Sequence, residues 1–398
     1  MTCAGEPLDV LVVGGGATGL ATALGCARAG MRVAVLERGP APAFDPATAP
    51  VTRVVTLNAA AMGLLDRLGV QEALAANRAH AFSGMQVWDA HGPAHIRFDA
   101  DDLGVPELGW TVENAALEAV LWQALRERGV ALWPETAWRS VDLRPDRVDV
   151  YAEGHAPLAS ARLVVAADGA RSALRERAGI AVSERPYHAR GVVATVETAQ
   201  GHGDTAWQRF DDERILAFLP LGDGRCSIVW SLPEPEADDV MAMDDSTFIR
   251  ELSNAIDGGP GPVTGTSPRA SFPLVARHAR DYFAGRVVLA GDAAHTIHPL
   301  AGQGLNLGLA DVDALLRQLA GPNRRDPGDP RGLRAYTRAR RPENAMMQRA
   351  MDGFRLLFGT RRAGLPELRG AGVRLVDGLV PVKRQLALRA FGLDGIRR

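Results

Sequence analysis

The chain has 398 residues and a formal net charge of −2, with 46% hydrophobic and 23% charged residues. These are globular values, and the length exceeds one ordinary domain, so two intertwined domains are expected. The near-neutral balance excludes a global drive towards nucleic acid, and a single lysine, Lys383, among many arginines reads as genome composition rather than a binding surface.

Cys3, Cys26 and Cys226 stand far apart with no CxxC or metal spacing, which predicts a reducing compartment, no disulfide framework and no bound metal. The start, MTCAGEPLDV, lacks the basic and apolar regions of a signal peptide. No apolar run approaches the roughly 18 residues of a membrane span. A cytoplasmic protein is the expectation, with peripheral contact at the inner membrane as the alternative.

Residues 9–13 (DVLVV) read as a short strand running into Gly14-Gly15-Gly16-Ala17-Thr18-Gly19 and a small-residue helix over 20–29. A second strand, 33–36, ends at Glu37 and Arg38. Strand, GxGxxG, helix, strand and acid in this order form the dinucleotide-binding fingerprint. Gly14 makes the tight turn, Gly16 admits a pyrophosphate, Gly19 lets helix and strand pack closely, and Glu37 reaches a ribose hydroxyl. The motif alone does not choose between FAD and NAD(P). Its place at the N-terminus leans towards FAD, and no second fingerprint follows that would mark a separate NAD(P)H domain.

A loop rich in proline and alanine, 39–50, leads to Arg53, which reads either as surface charge or as a neighbour of a flavin or its phosphates. Helical spacing appears over 58–68 and 112–128, and strand alternation over 81–100. Strands follow at 141–150 and 162–165, the latter finishing in Asp168-Gly169 ahead of a helix at 174–178. Asp-Gly is a good turn dipeptide, and it also sets a carboxylate at a strand end, where ligands of α/β sheets gather. Four more strands, 191–196, 205–210, 215–219 and 226–232, suggest an inserted antiparallel sheet. Trp207, Phe210, Phe218 and Trp230 within it read as substrate-pocket lining or as plain core. A helix over 245–256 precedes a breaker-rich linker at 258–262.

The stretch 286–311, RVVLAGDAAHTIHPLAGQGLNLGLAD, carries a buried strand ending in Gly291-Asp292. A glycine-rich loop then feeds a helix whose start offers free N–H groups to an anion or an electron-rich ring edge. His295 and His298 read equally as catalytic groups or as loop histidines satisfied by backbone, so neither is assigned as a base.

GxGxxG, Asp168-Gly169 and Gly291-Asp292, in this order, resemble the single-component FAD-dependent aromatic hydroxylases. Within them the run from His298 to Gly308 (HPLAGQGLNLG) with Asp311, Val112-Glu113-Asn114 before a helix, and Phe272-Pro273-Leu274 are similar to the ubiquinone-biosynthesis hydroxylases (UbiH/UbiF type). The resemblance covers residues 9 to about 358. It implies an α/β fold: a Rossmann-like FAD-binding domain (1–80, 110–180, 275–335), an inserted antiparallel-sheet substrate domain (81–109, 181–274) and a helical C-terminal region (336–398). It implies that Gly14, Gly16, Ala17, Gly19, Glu37, Arg38, Arg53, Asn114, Asp168, Gly169, Gly291 and Asp292 hold FAD. Gly302, Gln303, Gly304, Leu305 and Asn306 would meet the flavin ring through backbone N–H groups, with Pro299 near the face where O₂ reacts. The implied reaction is hydroxylation of a (poly)prenylated phenol through a flavin C4a-hydroperoxide, with NAD(P)H or another donor supplying electrons.

From Arg361 onward nine basic residues face three acidic ones among Leu, Val and Phe, either a solvated helical face or a surface for anionic lipid or a lipid-handling complex. Three rivals stand beside the main reading. They are a same-fold hydroxylase of a soluble aromatic, a flavin-binding scaffold without turnover, and an NAD(P)-linked dehydrogenase. Which ring carbon reacts, the electron donor and the oligomeric state are not encoded in any motif.

Overall fold

The computed structural model describes residues 6–48, 53–92, 95–152, 156–298, 304–320, 326–358, 384–385, 387–388 and 391–393. Everything below refers to these residues.

The fingerprint strand Leu8–Val13 lies between Ala159–Ala166 and Val33–Leu36, parallel to both. Val287–Leu289 and Ala131–Trp133 extend this parallel sheet on either side. Val10, Leu11 and Val12 are fully buried, as expected of a parallel strand whose two faces are both covered. The helix Ala17–Arg28 packs on this core beside Asn114–Glu127 and Gly304–Leu319. The expected strand over 141–150 is two strands, Ser140–Leu143 and Val148–Tyr151, paired antiparallel. Pro145 and Asp146 supply the turn between them, which the apolar count alone had spanned.

The second sheet is antiparallel in the main and has nine strands. The expected strands at 191–196, 205–210, 215–219 and 226–232 are present as Val182–Thr198, Thr205–Asp211, Arg214–Pro220 and Cys226–Pro233. The strand Ala270–Ala279 pairs along Val182–Thr198 and crosses the expected domain boundary at 274/275. His80–Phe82 joins Gly109–Glu113 and Val54–Leu57 in a separate three-stranded sheet.

Two helices, Glu234–Ala242 and Asp245–Ile256, cover one face of the nine-stranded sheet. Asp244 caps the second by accepting the Thr247 N–H at 2.7 Å. Trp207, Leu216, Phe218 and Trp230 join Val240, Phe248 and Leu252 there in one apolar cluster. Strand period sends Phe210, Ile215, Ser231, Gly191 and Phe272, register partners across five strands, to the opposite face. Phe210 there packs with Met351 of the long final helix. Of the four aromatics read as pocket lining or plain core, Trp207, Phe218 and Trp230 pack beneath the helices, where Trp230 also borders a cavity. Phe210 alone lies on the other face.

That final helix runs Pro330–Phe358, longer than the expected 343–358, and contains Pro342. Pro330 suits the first helical turn. The stretch before Pro342 stays helical while Arg340 is drawn into a buried ion pair described below. The far end of the chain also packs: Ala387, Phe391 and Leu393 lie buried with Phe82, Leu103 and Leu108. No helix among the described residues is long and apolar enough to cross a membrane.

Candidate active site

The fingerprint turn is built by steric exclusion. Gly14 has φ +114, and a Cβ on it would sit 2.2 Å from the Ala167 carbonyl oxygen. A Cβ on Gly19 would sit 2.0 Å from the Gly14 oxygen, so helix and strand touch backbone to backbone. At Gly16 an added Cβ meets only Glu118 Oε1, at 3.6 Å. Gly16 is also the N-cap of Ala17–Arg28 and gives it no side-chain cap. The first N–H groups of that helix therefore turn to the crevice, a donor set that fits a pyrophosphate.

Glu37 lies at the end of its strand, where its carboxylate accepts the N–H groups of Gly15 and Gly39. It braces the glycine turn. Arg38 is exposed beside it. Asn114 is buried, donates from Nδ2 to Glu118 Oε1 at 2.7 Å, and gives its N–H to the Arg53 carbonyl at 3.0 Å. The Arg53 side chain is exposed and faces Glu118 and Asp292 electrostatically.

Asp168 accepts the Ser172 hydroxyl and the Leu174 N–H (3.2 Å), while Ser172 caps the short helix Ala173–Arg177. Gly169 has φ +83, a left-handed conformation that favours glycine. Buried Arg175, which no motif singled out, donates to the carbonyls of Ala170 (3.2 Å) and Ala293 (2.9 Å), tying the Asp-Gly turn to the Gly-Asp turn.

Gly291 has φ +60, and added Cβ atoms at Gly291 and Gly308 would come within 2.9 and 2.8 Å of Thr18 Oγ1. Three sequence motifs thus converge on one threonine. Asp292 is exposed but hemmed in by protein. That crowding raises its pKa, with His295, Arg53 and Arg277 pulling against it. Asn306 is buried, donates to the Thr56 carbonyl at 2.8 Å and accepts the Asn58 N–H at 2.9 Å. Its side chain fastens the helix Gly304–Leu319 to the three-stranded sheet. Around Gly304 there is open space, and Leu305 is half-buried. Pro299, Gly302 and Gln303 lie outside the described residues.

Beneath this site lies a buried polar network centred on Asp311, also missed as a role. Its carboxylate accepts the Gly291 N–H (3.1 Å), Arg340 Nε (2.8 Å) and Asn344 Nδ2 (3.0 Å), and lies 2.6 Å from His295 Nε2. Burial alone would raise the Asp311 pKa, but His295 and Arg340 outweigh it and hold the group below the usual carboxylate range. His298 is buried with its ring edge on Tyr187, 5.1 Å between centroids, and burial lowers its pKa to about 4. It is neutral at neutral pH.

Two groups, His80–His202–Asp204 with His202 buried and His91–Asp211–Asp212, bring donor atoms within 4.8 Å. Both contain short His–Asp hydrogen bonds, at 2.9 and 2.7 Å, that account for them. A cavity of about 520 Å³ beneath the two covering helices is lined by Leu216, Trp230 and Arg209. None of its lining residues belongs to the three-motif site.

The family model for the FAD binding domain matches residues 7–351. The chain belongs to this family. It is 36% identical over 393 residues to the 3-demethoxyubiquinol 3-hydroxylase of Escherichia coli (strain K12), covering 98% of this chain and 99% of that protein. It is 30% identical over 430 residues to mitochondrial ubiquinone biosynthesis monooxygenase COQ6 of Homo sapiens, covering 95% and 91%. Of solved structures, P. aeruginosa PqsL in complex with 2-aminobenzoylacetate matches at TM-score 0.75 and 25% identity, over 93% of this chain and 100% of that one. The p-nitrophenol 4-monooxygenase PnpA of Pseudomonas putida, at 23% identity and TM-score 0.78 over 99% and 100%, shares the fold. The resemblance stated from the motifs is borne out, as is FAD as the cofactor of an FAD-dependent monooxygenase.

Two outcomes follow from this geometry. Gly16→Val should keep a near-wild-type melting curve while purified protein loses FAD absorbance, whereas Gly14→Val should fail to fold; FAD at full occupancy in folded Gly16→Val would contradict the crevice. Asp311→Asn removes the buried counter-charge of Arg340 and leaves it only the exposed Glu343, and urea denaturation should read a loss of about 3 kcal/mol.

Proposed function

We propose that this chain hydroxylates the aromatic ring of a (poly)prenylated phenol in ubiquinone biosynthesis. The observation that carries the reading is 36% identity over nearly the full length of a 3-demethoxyubiquinol 3-hydroxylase. The unbroken GxGxxG, Asp-Gly and Gly-Asp motifs accompany it.

FAD, when bound and reduced by NAD(P)H or another donor, supplies the activation of O₂ and the oxygen delivered to the ring. The protein's share is binding, orientation and exclusion of water. In this reading Gly14, Gly16 and Gly19 shape the pyrophosphate turn, and Ala17 opens the helix whose dipole faces it. Glu37, with Arg38 beside it, serves the ribose. Arg53 and Asn114 flank the cofactor, and Asp168 and Gly169 lie near the pyrophosphate. Asp292, beside Gly291, holds the ribityl chain. Pro299 with the N–H groups of Gly302 to Asn306 borders the flavin ring, where a helix start stabilises negative charge as an oxyanion hole does. No side chain needs the role of general acid or base.

Residues 1–80, 110–180 and 275–335 would then form the cofactor unit, and 81–109 with 181–274 the substrate unit. The face of the nine-stranded sheet away from its two covering helices suits the substrate. Its central rows carry small groups, Gly191, Val193, Ala217 and Ser231, with Phe210 on one side and Phe272, 41% exposed, on the other. A phenol ring with an apolar chain fits a floor of that kind. The basic, apolar tail from Arg361 onward, most of which lies outside the described residues, is proposed to touch anionic lipid or a lipid-handling complex, which would deliver a substrate that lives in membranes.

Purified holoprotein supplied with reductant and O₂ should hydroxylate a short-chain prenylphenol and leave the unprenylated phenol largely unchanged, as read by mass spectrometry. Equal turnover of both would favour a soluble aromatic substrate instead. Deleting residues 359–383 should reduce co-sedimentation with anionic vesicles severalfold, and unchanged co-sedimentation of a folded variant would remove the membrane contact.

A further inference from the structure

Glu118 stands on the helix Asn114–Glu127, one turn after Asn114, and faces the fingerprint crevice. Its Oε1 accepts Asn114 Nδ2 at 2.7 Å and lies 3.6 Å from where a Gly16 Cβ would be. The backbone N–H of Ala17, the first residue of the fingerprint helix, also faces this carboxyl and favours its ionised form. That N–H belongs to the donor set which such a turn offers to a pyrophosphate. An acid therefore shares the anion cradle of a site built for a dianionic linkage.

The charged groups facing Glu118 come from two other segments. Arg53 favours its ionised form and Glu37, at the end of the second strand, opposes it. Burial is the largest influence and lifts its pKa above the ordinary carboxyl value. Two anions on one set of donors repel each other, whereas a neutral carboxyl in the same place donates a hydrogen bond to a phosphate oxygen.

We propose that Glu118 is a cofactor-binding residue that holds the FAD pyrophosphate as a neutral carboxyl, so that FAD binding takes up a proton and its affinity depends on pH. The proposal rests on FAD as the cofactor and deepens that assignment. The pyrophosphate stays ionised throughout the relevant range, so the proton goes to the protein. The sign follows: affinity is greatest below the pKa of Glu118 in the apoprotein and falls as pH rises through it.

The test is FAD titration of apoprotein between pH 5 and 8, followed by quenching of flavin fluorescence, with wild type and Glu118→Gln compared. Calorimetry in two buffers of different ionisation enthalpy counts the protons. Wild type should weaken severalfold as pH rises, with net proton uptake over the interval in which the affinity falls. Glu118→Gln keeps the shape and a donor without the charge, so it should bind tightly with a flat profile and no proton uptake. Asp292 also titrates near the site, and a slope retained in Glu118→Gln would assign the effect there and overturn the proposal. A flat wild-type profile would overturn it too, while leaving FAD binding intact. Failure of wild type to bind FAD at any pH would sink the cofactor assignment together with this one. Should Glu118→Gln not fold, proton uptake by wild type against Glu118→Ala decides: equal uptake refutes the role.

Discussion

One buried carboxylate organises the site. Asp311 is fully buried, where an unpaired charge would be prohibitive. It is tolerated because it accepts bonds from the Gly291 N–H, Arg340 and Asn344 and pairs with His295. These partners lie on the Gly-Asp turn, the strand just after it and the final helix. The requirement that every partner be present forces those elements into one arrangement around the helix Gly304–Leu319. Whether such a cluster adds net stability over an apolar equivalent is a separate matter, since desolvation opposes the Coulombic gain. Its value here is in register: the turn carrying Asp292 has one place to be.

Above that clamp, the contacts are made by what is missing from side chains. Thr18 touches both Gly291 and Gly308, and Gly19 lets the fingerprint helix lie on the Gly14 carbonyl. Backbone donors can then face a ligand directly, which suits a reaction whose chemistry belongs to the cofactor. Arg175 and Asn306 play a matching part from the side, each bonding to carbonyls of a distant segment. Of the acidic groups near the crevice, Glu37 and Glu118 are restrained by hydrogen bonds from Gly15 and Asn114, while Asp292 feels the charges of His295 and Arg53.

The nine-stranded sheet divides its labour by face. Large side chains such as Phe218 and Trp230 fill the side beneath Glu234–Ala242 and Asp245–Ile256. Small ones, Gly191 and Ser231 among them, lie on the other. A Cβ at Gly191 would meet the Phe272 ring at 2.9 Å, so that glycine lets an exposed aromatic lie across its neighbouring strand.

Motifs whose function is local were legible in the chain itself. The fingerprint turn, the Asp-Gly and Gly-Asp strand ends and most of the antiparallel strands depend on nearby residues: glycine conformations, β-branched runs and turn dipeptides. The family could be recognised for the same reason, since its marks are short runs in fixed order. Tertiary structure alone decided which face of each strand meets which layer. An alternating strand presents two apolar faces here, and Trp207 and Phe210 look equivalent until helices cover one side. It alone decided that Arg340 and Asn344 would meet Asp311, because an ion pair and a hydrogen bond 29 and 33 residues apart leave no periodic trace. It also set Glu118 over Gly16, a contact between helices that neither sequence segment encodes by itself.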